Sequence, residues 1–219
     1  MQSAPSDNGR TGRPLSLYAG CGPTASARET GRRFSAPDRP GANVEKQRRR
    51  RHIALMEQND GVTIRTDLRP GDLGRLISLH GTAYEGENGH FGLAFEAYVA
   101  RTVADFVIDN KARGRVFLAE RGDELVACTA MIERENGRGQ LRWVLASPSA
   151  RGLGLGRTLV GAALDYAREQ GWREVFLETT AGLNTSMSMY ERLGFVVASR
   201  SDEMYWNAPA DVIVMTLKL

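Results

Sequence analysis

Three glycines stand within five positions in RGLGLGR, the stretch that occupies residues 151–157, and an arginine lies at each end of it. A run of apolar residues at helical spacing follows at once. The first turn of a helix has backbone N–H groups without helical partners, and the helix dipole adds partial positive charge there. Glycines let an anion approach such a backbone without a Cβ in the way. The stretch therefore favours an anion site, such as one for a pyrophosphate.

Two common phosphate-binding motifs do not fit this spacing. The dinucleotide motif G-x-G-x-x-G, begun at Gly152, requires a glycine where Arg157 stands. The P-loop motif requires a glycine where Arg151 stands and a lysine where Arg157 stands. What remains is R-x-x-G-x-G between a strand and a helix. The simpler alternative is a flexible turn with incidental glycines.

Hydrophobic periodicity predicts the elements that position this stretch. Alternating or continuous apolar runs predict strands over 62–66, 115–120, 124–134, 140–148, 174–180, 195–200 and 211–219. Helical spacing predicts helices over 69–84, 91–109 and 184–194, and a further helix that begins in the glycine stretch and ends at Gly171.

The predicted order of elements is β-α-α-β-β-β-α-β-α-β-β. Strands joined by short turns pair antiparallel, whereas the strand–helix–strand segment around the glycines requires parallel pairing. We therefore expect an α/β domain with a mixed (α+β) sheet flanked by helices, and not a doubly wound sheet. The mixed apolar character of 140–148 predicts a central position for that strand.

Charge is divided unevenly along the chain. The net charge is +3, yet residues 1–52 carry 11 Lys and Arg against 4 Asp and Glu, and the other 167 residues carry 18 against 22. A nucleic-acid-binding domain is usually basic, so the mildly acidic body argues against that class.

The first 55 residues have the composition of a disordered tail. They are rich in Gly, Ser, Pro, Ala and Arg and have no hydrophobic period, so they cannot bury enough apolar surface to offset the entropy of ordering. The run KQRRRRH, residues 46–52, could bind nucleic acid or another acidic surface. The simpler interpretations are a solvated tail, or an upstream sequence that is not normally translated, with Met56 as the natural start.

The cysteine and histidine content argues against metal sites and disulfide frameworks. Two cysteines, Cys21 and Cys128, and three histidines show neither the pattern of a disulfide framework nor the spacing of a zinc site. No apolar run approaches the roughly 20 residues that cross a bilayer, and the N-terminus lacks the apolar middle of a signal peptide. We therefore expect a cytoplasmic protein with no metal and no membrane partner.

Two motifs resemble a known family. LRWVLASPSARGLGLGRTLV, with Pro148 three residues before Arg151, resembles the acetyl-CoA motif of the GNAT acetyltransferases. MYERLGF, residues 189–195, resembles their second signature, a tyrosine helix followed by Gly-Phe. The resemblance covers about 62–219 and implies a GNAT domain over 56–219. Within the superfamily it is greatest to the acetyltransferase halves of bacterial MarR–GNAT fusion proteins.

The resemblance implies acetyl-CoA as the co-substrate. The strand before the glycines would splay from its neighbour and pair with the pantetheine arm through backbone groups of Leu145 and Ala146. N–H groups of the loop and helix start would bind the pyrophosphate, and these belong to Arg151, Gly152, Leu153, Gly154, Leu155, Gly156 and Arg157. The two arginine side chains could add charge-assisted contacts or be solvated. Asn184 would contact the cofactor, where the family often has an asparagine one residue earlier, or would cap its helix.

The resemblance also implies direct attack of a primary amine on the thioester. That reaction needs a base for the ammonium, a donor for the developing oxyanion and an acid for the departing thiolate. Tyr190 occupies the family's usual acid position, although it could equally pack its ring between helix and sheet. Glu178 lies twelve residues earlier, as in the glutamate–tyrosine pair of some members, and is the candidate base. Alternatively Glu178 faces solvent and the amine loses its proton through water.

Two loops are expected to select the acceptor, a small-molecule or peptide amine. They span 84–92 and 203–211, and their candidate side chains are Glu85, Glu87, His90 and Trp206. Carboxylates there would favour a cationic amine. Members of the family often form homodimers, and no residue pattern decides whether this chain does.

Two other functions stay open on the sequence alone. A non-catalytic acyl-CoA-binding sensor on the same fold would keep the glycine loop and lose a usable acid and base. A nucleic-acid-associated protein would act through the basic tail and would show salt-dependent binding.

Overall fold

The computed structural model describes residues 61–83, 91–109, 113–206 and 208–219. The predicted tail, Met56 and three predicted acceptor residues, Glu85, Glu87 and His90, lie outside the described residues.

The order of elements predicted from periodicity is confirmed over the described residues. The strands are β1 (Val62–Arg65), β2 (Gly114–Arg121), β3 (Glu124–Arg134), β4 (Arg138–Ala146), β5 (Glu174–Thr180), β6 (Val196–Tyr205) and β7 (Ala208–Lys218). The helices are α1 (Asp72–Ala83), α2 (Leu93–Asp109), α3 (Leu155–Glu169) and α4 (Asn184–Arg192).

All seven strands form one mixed sheet in the order β1-β2-β3-β4-β5-β7-β6. Only β4 and β5, which flank α3 in the chain, pair in parallel, and every other neighbouring pair is antiparallel. This arrangement confirms the mixed sheet, the parallel crossover and the central place of β4.

Apolar side chains cover both faces of the sheet. One core lies between the sheet and α3, whose inner face is the predicted one and is buried throughout: Leu155, Leu159, Val160, Ala163, Leu164 and Ala167. The other core lies between the sheet and the first two helices, with Leu76, Phe95, Val99 and Val103 at its centre. The helices therefore hold the sheet from both sides and fix the direction of β4 and β5.

The prediction of a loop over 203–211 is wrong. β6 extends to Tyr205, β7 begins at Ala208, and these two residues pair, so most of this segment is strand. Proline cannot donate to a sheet ladder, so within a sheet it needs a position where its missing N–H faces no partner. β7 pairs with β5 from Val212 onward, so Pro209, which stands opposite Met204 of β6, precedes that paired stretch and has no second strand neighbour among the described residues.

His80 lies on the buried face of α1, and its protonation links the stability of this core to pH. Its ring is 3% exposed and its Nδ1–H donates to the Leu76 carbonyl at 2.9 Å. Burial lowers its pKa from 6.5 to about 4, because the charged form would lose its hydration.

Stability should therefore fall as the pH drops from 6.5 to 4, because the unfolded chain binds a proton that the folded chain excludes. The expected contribution of His80 over that window is about 3 kcal/mol. Guanidinium unfolding of wild type and His80→Leu across this range measures it. The variant should show a flatter pH dependence, and equal slopes would contradict the assignment.

Candidate active site

β4 and β5 separate after a short paired segment, and this opens a cleft in the sheet. Their pairing covers only Arg138–Gln140 of β4 and Glu174–Phe176 of β5. From Leu141 onward, the edge of β4 that faces β5 has no strand partner within the described residues. A peptide-like ligand could therefore add to that edge as a strand would.

A bulge in β4 redirects the side chains beside the cleft. Trp143 and Val144 both stand opposite Thr129 of β3, and Trp143 has a φ of 50°. Such a bulge bends a strand and breaks its alternation. Accordingly the consecutive residues Arg142 and Trp143 both contact α2, through Tyr98 Oη at 2.9 Å and Thr102 Oγ1 at 3.2 Å.

Register decides which backbone groups of β4 face the cleft. The Ser147 N–H donates to the Val126 carbonyl at 2.8 Å, so alternation turns the backbone groups of Leu145 toward β3 as well. The groups of Ala146 and Val144 then point to the open edge. Register thus favours Ala146 as a ligand partner and does not favour Leu145.

The glycine stretch forms a turn that leads into α3. Gly152 and Gly154 have φ values of 84° and 71°, and an added Cβ would meet open space at either one. These two positions therefore need glycine for its left-handed backbone conformation and not because a side chain would clash. Gly156 instead packs close to α4, where a Cβ would lie 3.4 Å from Met189 Sδ.

The start of α3 presents uncapped N–H groups beside that open space. Gly154 is the N-cap residue and makes no side-chain cap hydrogen bond. The first intrahelical bond runs from the Thr158 N–H to the Gly154 carbonyl at 3.0 Å. The N–H groups of 155–157 thus precede the helical ladder, as in an anion-binding helix start. The side chains of Arg151 and Arg157 are exposed on either side.

The predicted acid and base line the same cleft, whose volume is about 130 Å³. Tyr190 on α4 is 5% exposed and packs on the Phe195 ring, 5.9 Å between centroids. Glu178 on β5 is exposed at the cleft. The ring of Tyr190 thus packs in the core and also lines the cleft, which confirms the packing interpretation, and its role as the acid stays a prediction.

The capping role considered for Asn184 is wrong. Leu183 precedes the helix as its N-cap residue, and Asn184 is the first residue of α4, with an exposed side chain. Leu183 turns inward to line the cleft. The motif spacing does not fix which residue caps the helix, because a helix boundary can shift by a residue or two without a change in the sequence pattern.

The cleft also contains polar residues that the sequence did not single out, four of which matter below. They are Tyr98 on α2, Arg142 on β4, Thr180 on β5 and Tyr205 on β6. A signal existed for one of them, because a charged residue such as Arg142 is uncommon in an apolar central strand. Trp206, which the sequence did single out, lies in the hairpin turn and lines the cleft next to Tyr205.

Burial and charge tune the polar groups around the cleft. Burial raises the pKa of Tyr205 to about 12, and the carboxylates of Glu178 and Glu203 add to the shift. Its hydroxyl therefore stays protonated at neutral pH and can donate a hydrogen bond. Burial also lowers the pKa of Arg134, and the nearby charge of Arg142 acts in the same direction.

Two negative findings concern the described part of the chain. Its residues form no group of three or more His, Cys, Asp or Glu that could hold a metal ion. Among its helices, none combines the length and apolar character needed to cross a bilayer.

The mixed sheet thus splays beside a glycine-rich helix start, and Tyr190 lines the cleft between the splayed strands. The model of the acetyltransferase (GNAT) family matches residues 82–195, and the chain belongs to this family. Members of this family are acetyltransferases.

Individual relatives agree with this assignment. Mycothiol acetyltransferase from Thermomonospora curvata is 31% identical over 151 residues, which cover 68% of this chain and 49% of the relative. The chain spans about half the length of the curated relatives it matches. The finer resemblance to MarR–GNAT fusions stays a prediction.

Solved structures share the fold. The Escherichia coli ribosomal-protein-S18-alanine N-acetyltransferase superposes with a TM-score of 0.56 at 21% identity, over 72% of this chain and 93% of that one. Vibrio cholerae spermidine N-acetyltransferase, in complex with CoA and spermine, has a TM-score of 0.56 at 21% identity, over 73% and 96%. Both confirm the predicted GNAT fold.

Proposed function

We propose that this protein transfers the acetyl group of acetyl-CoA directly to a primary amine of a small molecule or peptide. The splay of β4 from β5 carries this proposal. It places Glu178 and Tyr190 in one cleft, beside an unpaired strand edge that leads to the start of α3.

The donor side of the cleft fits a CoA thioester. The open edge at Val144 and Ala146 offers backbone groups to the amides of a pantetheine arm. The N–H groups at the start of α3 and the left-handed glycine turn offer an anion site for a pyrophosphate. The proposed loop contacts are Arg151, Gly152, Leu153, Gly154, Leu155, Gly156 and Arg157, with Asn184 on α4.

The ammonium first loses one proton to solvent, and for the neutral amine that results the acceptor side must remove one proton and the donor side must supply one. The amine nitrogen forms a bond to the thioester carbonyl carbon as the C–S bond breaks. Glu178, directly or through a water, takes the proton that the amine loses. Tyr190 donates its phenolic proton to the departing sulfur, and exchange with solvent then restores both groups. Both residues lie in the cleft, as this division requires.

The named relatives support an amine acceptor. The two structural relatives are named for ribosomal-protein-S18 alanine and for spermidine, both of which present amines. Their likeness to this chain extends to the fold, so the acceptor has to be sought from the cleft itself.

A screen of the full chain for acetyl-CoA-dependent thiol release tests the proposal. The panel should contain polyamines, aminoglycosides, amino acids and peptides with free N-termini. Release of CoA with one class, together with a mass gain of one acetyl group on the acceptor, is the expected result. Acetyl-CoA binding without acetylation of any acceptor would instead favour the sensor function.

A further inference from the structure

Two arginines give one wall of the cleft a cationic character, and the Glu178 carboxylate in the same cleft acts on the Arg134 charge without forming an ion pair with it among the described residues. Arg142 lines the cleft, and its Nη2 donates to Tyr98 Oη at 2.9 Å. Arg134 lies nearby, with its Nε bound to Gln140 Oε1 at 2.8 Å. None of the ion pairs found between described residues includes either arginine. A half-buried arginine usually meets an anion, because its desolvation is otherwise uncompensated.

A second observation on the opposite wall points to a polar ligand. Thr180 is 2% exposed and lines the cleft, and its Oγ1 has no hydrogen-bond partner among the described residues. A buried hydroxyl without a partner is costly, so such groups are rarely left unsatisfied. Thr180 follows Glu178 by two residues on β5 and therefore lies on the same face of the strand.

The space beyond Arg142 is aromatic. Trp206 has its ring centroid 4.7 Å from Phe95, 5.5 Å from Phe91 and 5.9 Å from Tyr98. Its φ of 50° is unusual for a residue with a side chain, and such strain is often found at binding sites. Rings of this kind favour an apolar group of the ligand.

We propose that the acceptor is an amino acid, with a free carboxylate close to its amine and a large apolar side chain. The Arg142 guanidinium would bind the carboxylate through its planar set of donors. The amine would then lie toward Glu178 and the Thr180 hydroxyl, and the side chain would occupy the aromatic space around Trp206. This inference rests on the proposed acetyl transfer and specifies its acceptor.

Three acceptors that differ in one group test the inference with the wild-type full chain. L-Phenylalanine has the carboxylate, phenylalaninamide replaces it by a neutral amide as at a peptide N-terminus, and 2-phenylethylamine lacks it. A charge-assisted contact should make kcat/KM for the acid about 10- to 100-fold higher than for either neutral compound. Preference for the amide would point to peptide N-termini and overturn the proposal, as would equal values for all three.

Variants of Arg142 connect this preference to the residue. Arg142→Met should reduce the acid-to-amine ratio of kcat/KM toward one, and Arg142→Lys should retain part of it. The matched control is Arg138→Met, earlier on the same strand, where the arginine binds Glu174 at 2.7 Å. That control should keep the wild-type ratio. An unchanged ratio in a folded Arg142→Met protein would overturn the assignment.

A binding experiment separates this inference from the proposed function. If none of the three compounds is acetylated, fluorescence titration of the cleft tryptophans with phenylalanine and phenylethylamine still shows whether Arg142 binds a carboxylate. If wild type binds phenylalanine more tightly than phenylethylamine and Arg142→Met loses this difference, the carboxylate site is supported. The proposed acetyl transfer to amino acids would then be the part that fails. Equal binding of the two compounds, or binding of neither, overturns the inference.

Discussion

Tyr190→Phe should lower kcat for acetyl transfer by about 100-fold or more and leave the affinity for acetyl-CoA nearly unchanged. The substitution removes one hydroxyl and keeps the ring, so the packing of Tyr190 against Phe195 survives. A general acid acts only as the C–S bond breaks, and its loss therefore falls on kcat and not on ground-state binding. Steady-state kinetics with the best amine from the screen, and calorimetry with acetyl-CoA, measure the two quantities.

Tyr166→Phe is the matched control for this experiment. Tyr166 is also a buried tyrosine on a helix, but its ring lies against Trp172 at 5.7 Å and under the Arg115 guanidinium. It does not line the cleft. Its hydroxyl should therefore be dispensable, with kcat within about two-fold of wild type. Wild-type turnover in Tyr190→Phe would show that water or another group protonates the sulfur.

The sequence predicted the order of elements because each has a strong apolar period. The inner face of α3 and the buried core strands carry that period, and the parallel β4–β5 pairing follows from the helix between them. The end of β6 was missed for the opposite reason. Residues on both faces of the strand Val196–Tyr205 are exposed, so no alternation of buried and exposed positions marks it.

The candidate site was predicted only where a local motif encodes it. RGLGLGR and Tyr190 stand in contiguous patterns that can be recognised without a structure. Arg142 depends on a bulge, which is defined by the register of β4 against β3 and not by either strand alone. Thr180 becomes notable only when its buried hydroxyl is found to lack a partner. Donor recognition is local in sequence, whereas the acceptor cleft is assembled from distant elements.

Asp72→Asn should lower the free energy of unfolding by about 3 kcal/mol, a large effect for one polar substitution. The Asp72 side chain is 1% exposed and binds Arg65 at 2.6 and 2.7 Å, the Arg69 N–H at 2.7 Å, and Arg75. Arg65 in turn binds Glu120 at 2.8 Å, so one network joins β1, β2 and the start of α1. Without the Asp72 charge, Arg65 and Arg75 would share one carboxylate. Denaturant unfolding at pH 7 measures the loss.

The contribution of Asp72 to stability should depend on pH, and an exposed aspartate provides the control. Hydrogen bonds from Arg65 hold the pKa of Asp72 well below its usual range, so its contribution is complete above about pH 4. The contribution is lost as the pH falls below that value, because the unfolded chain then binds the proton first. Asp165→Asn, in the exposed pair with Arg168, should change stability by about 0.5 kcal/mol or less. Equal losses in the two variants would show that the buried network adds no more than a surface ion pair.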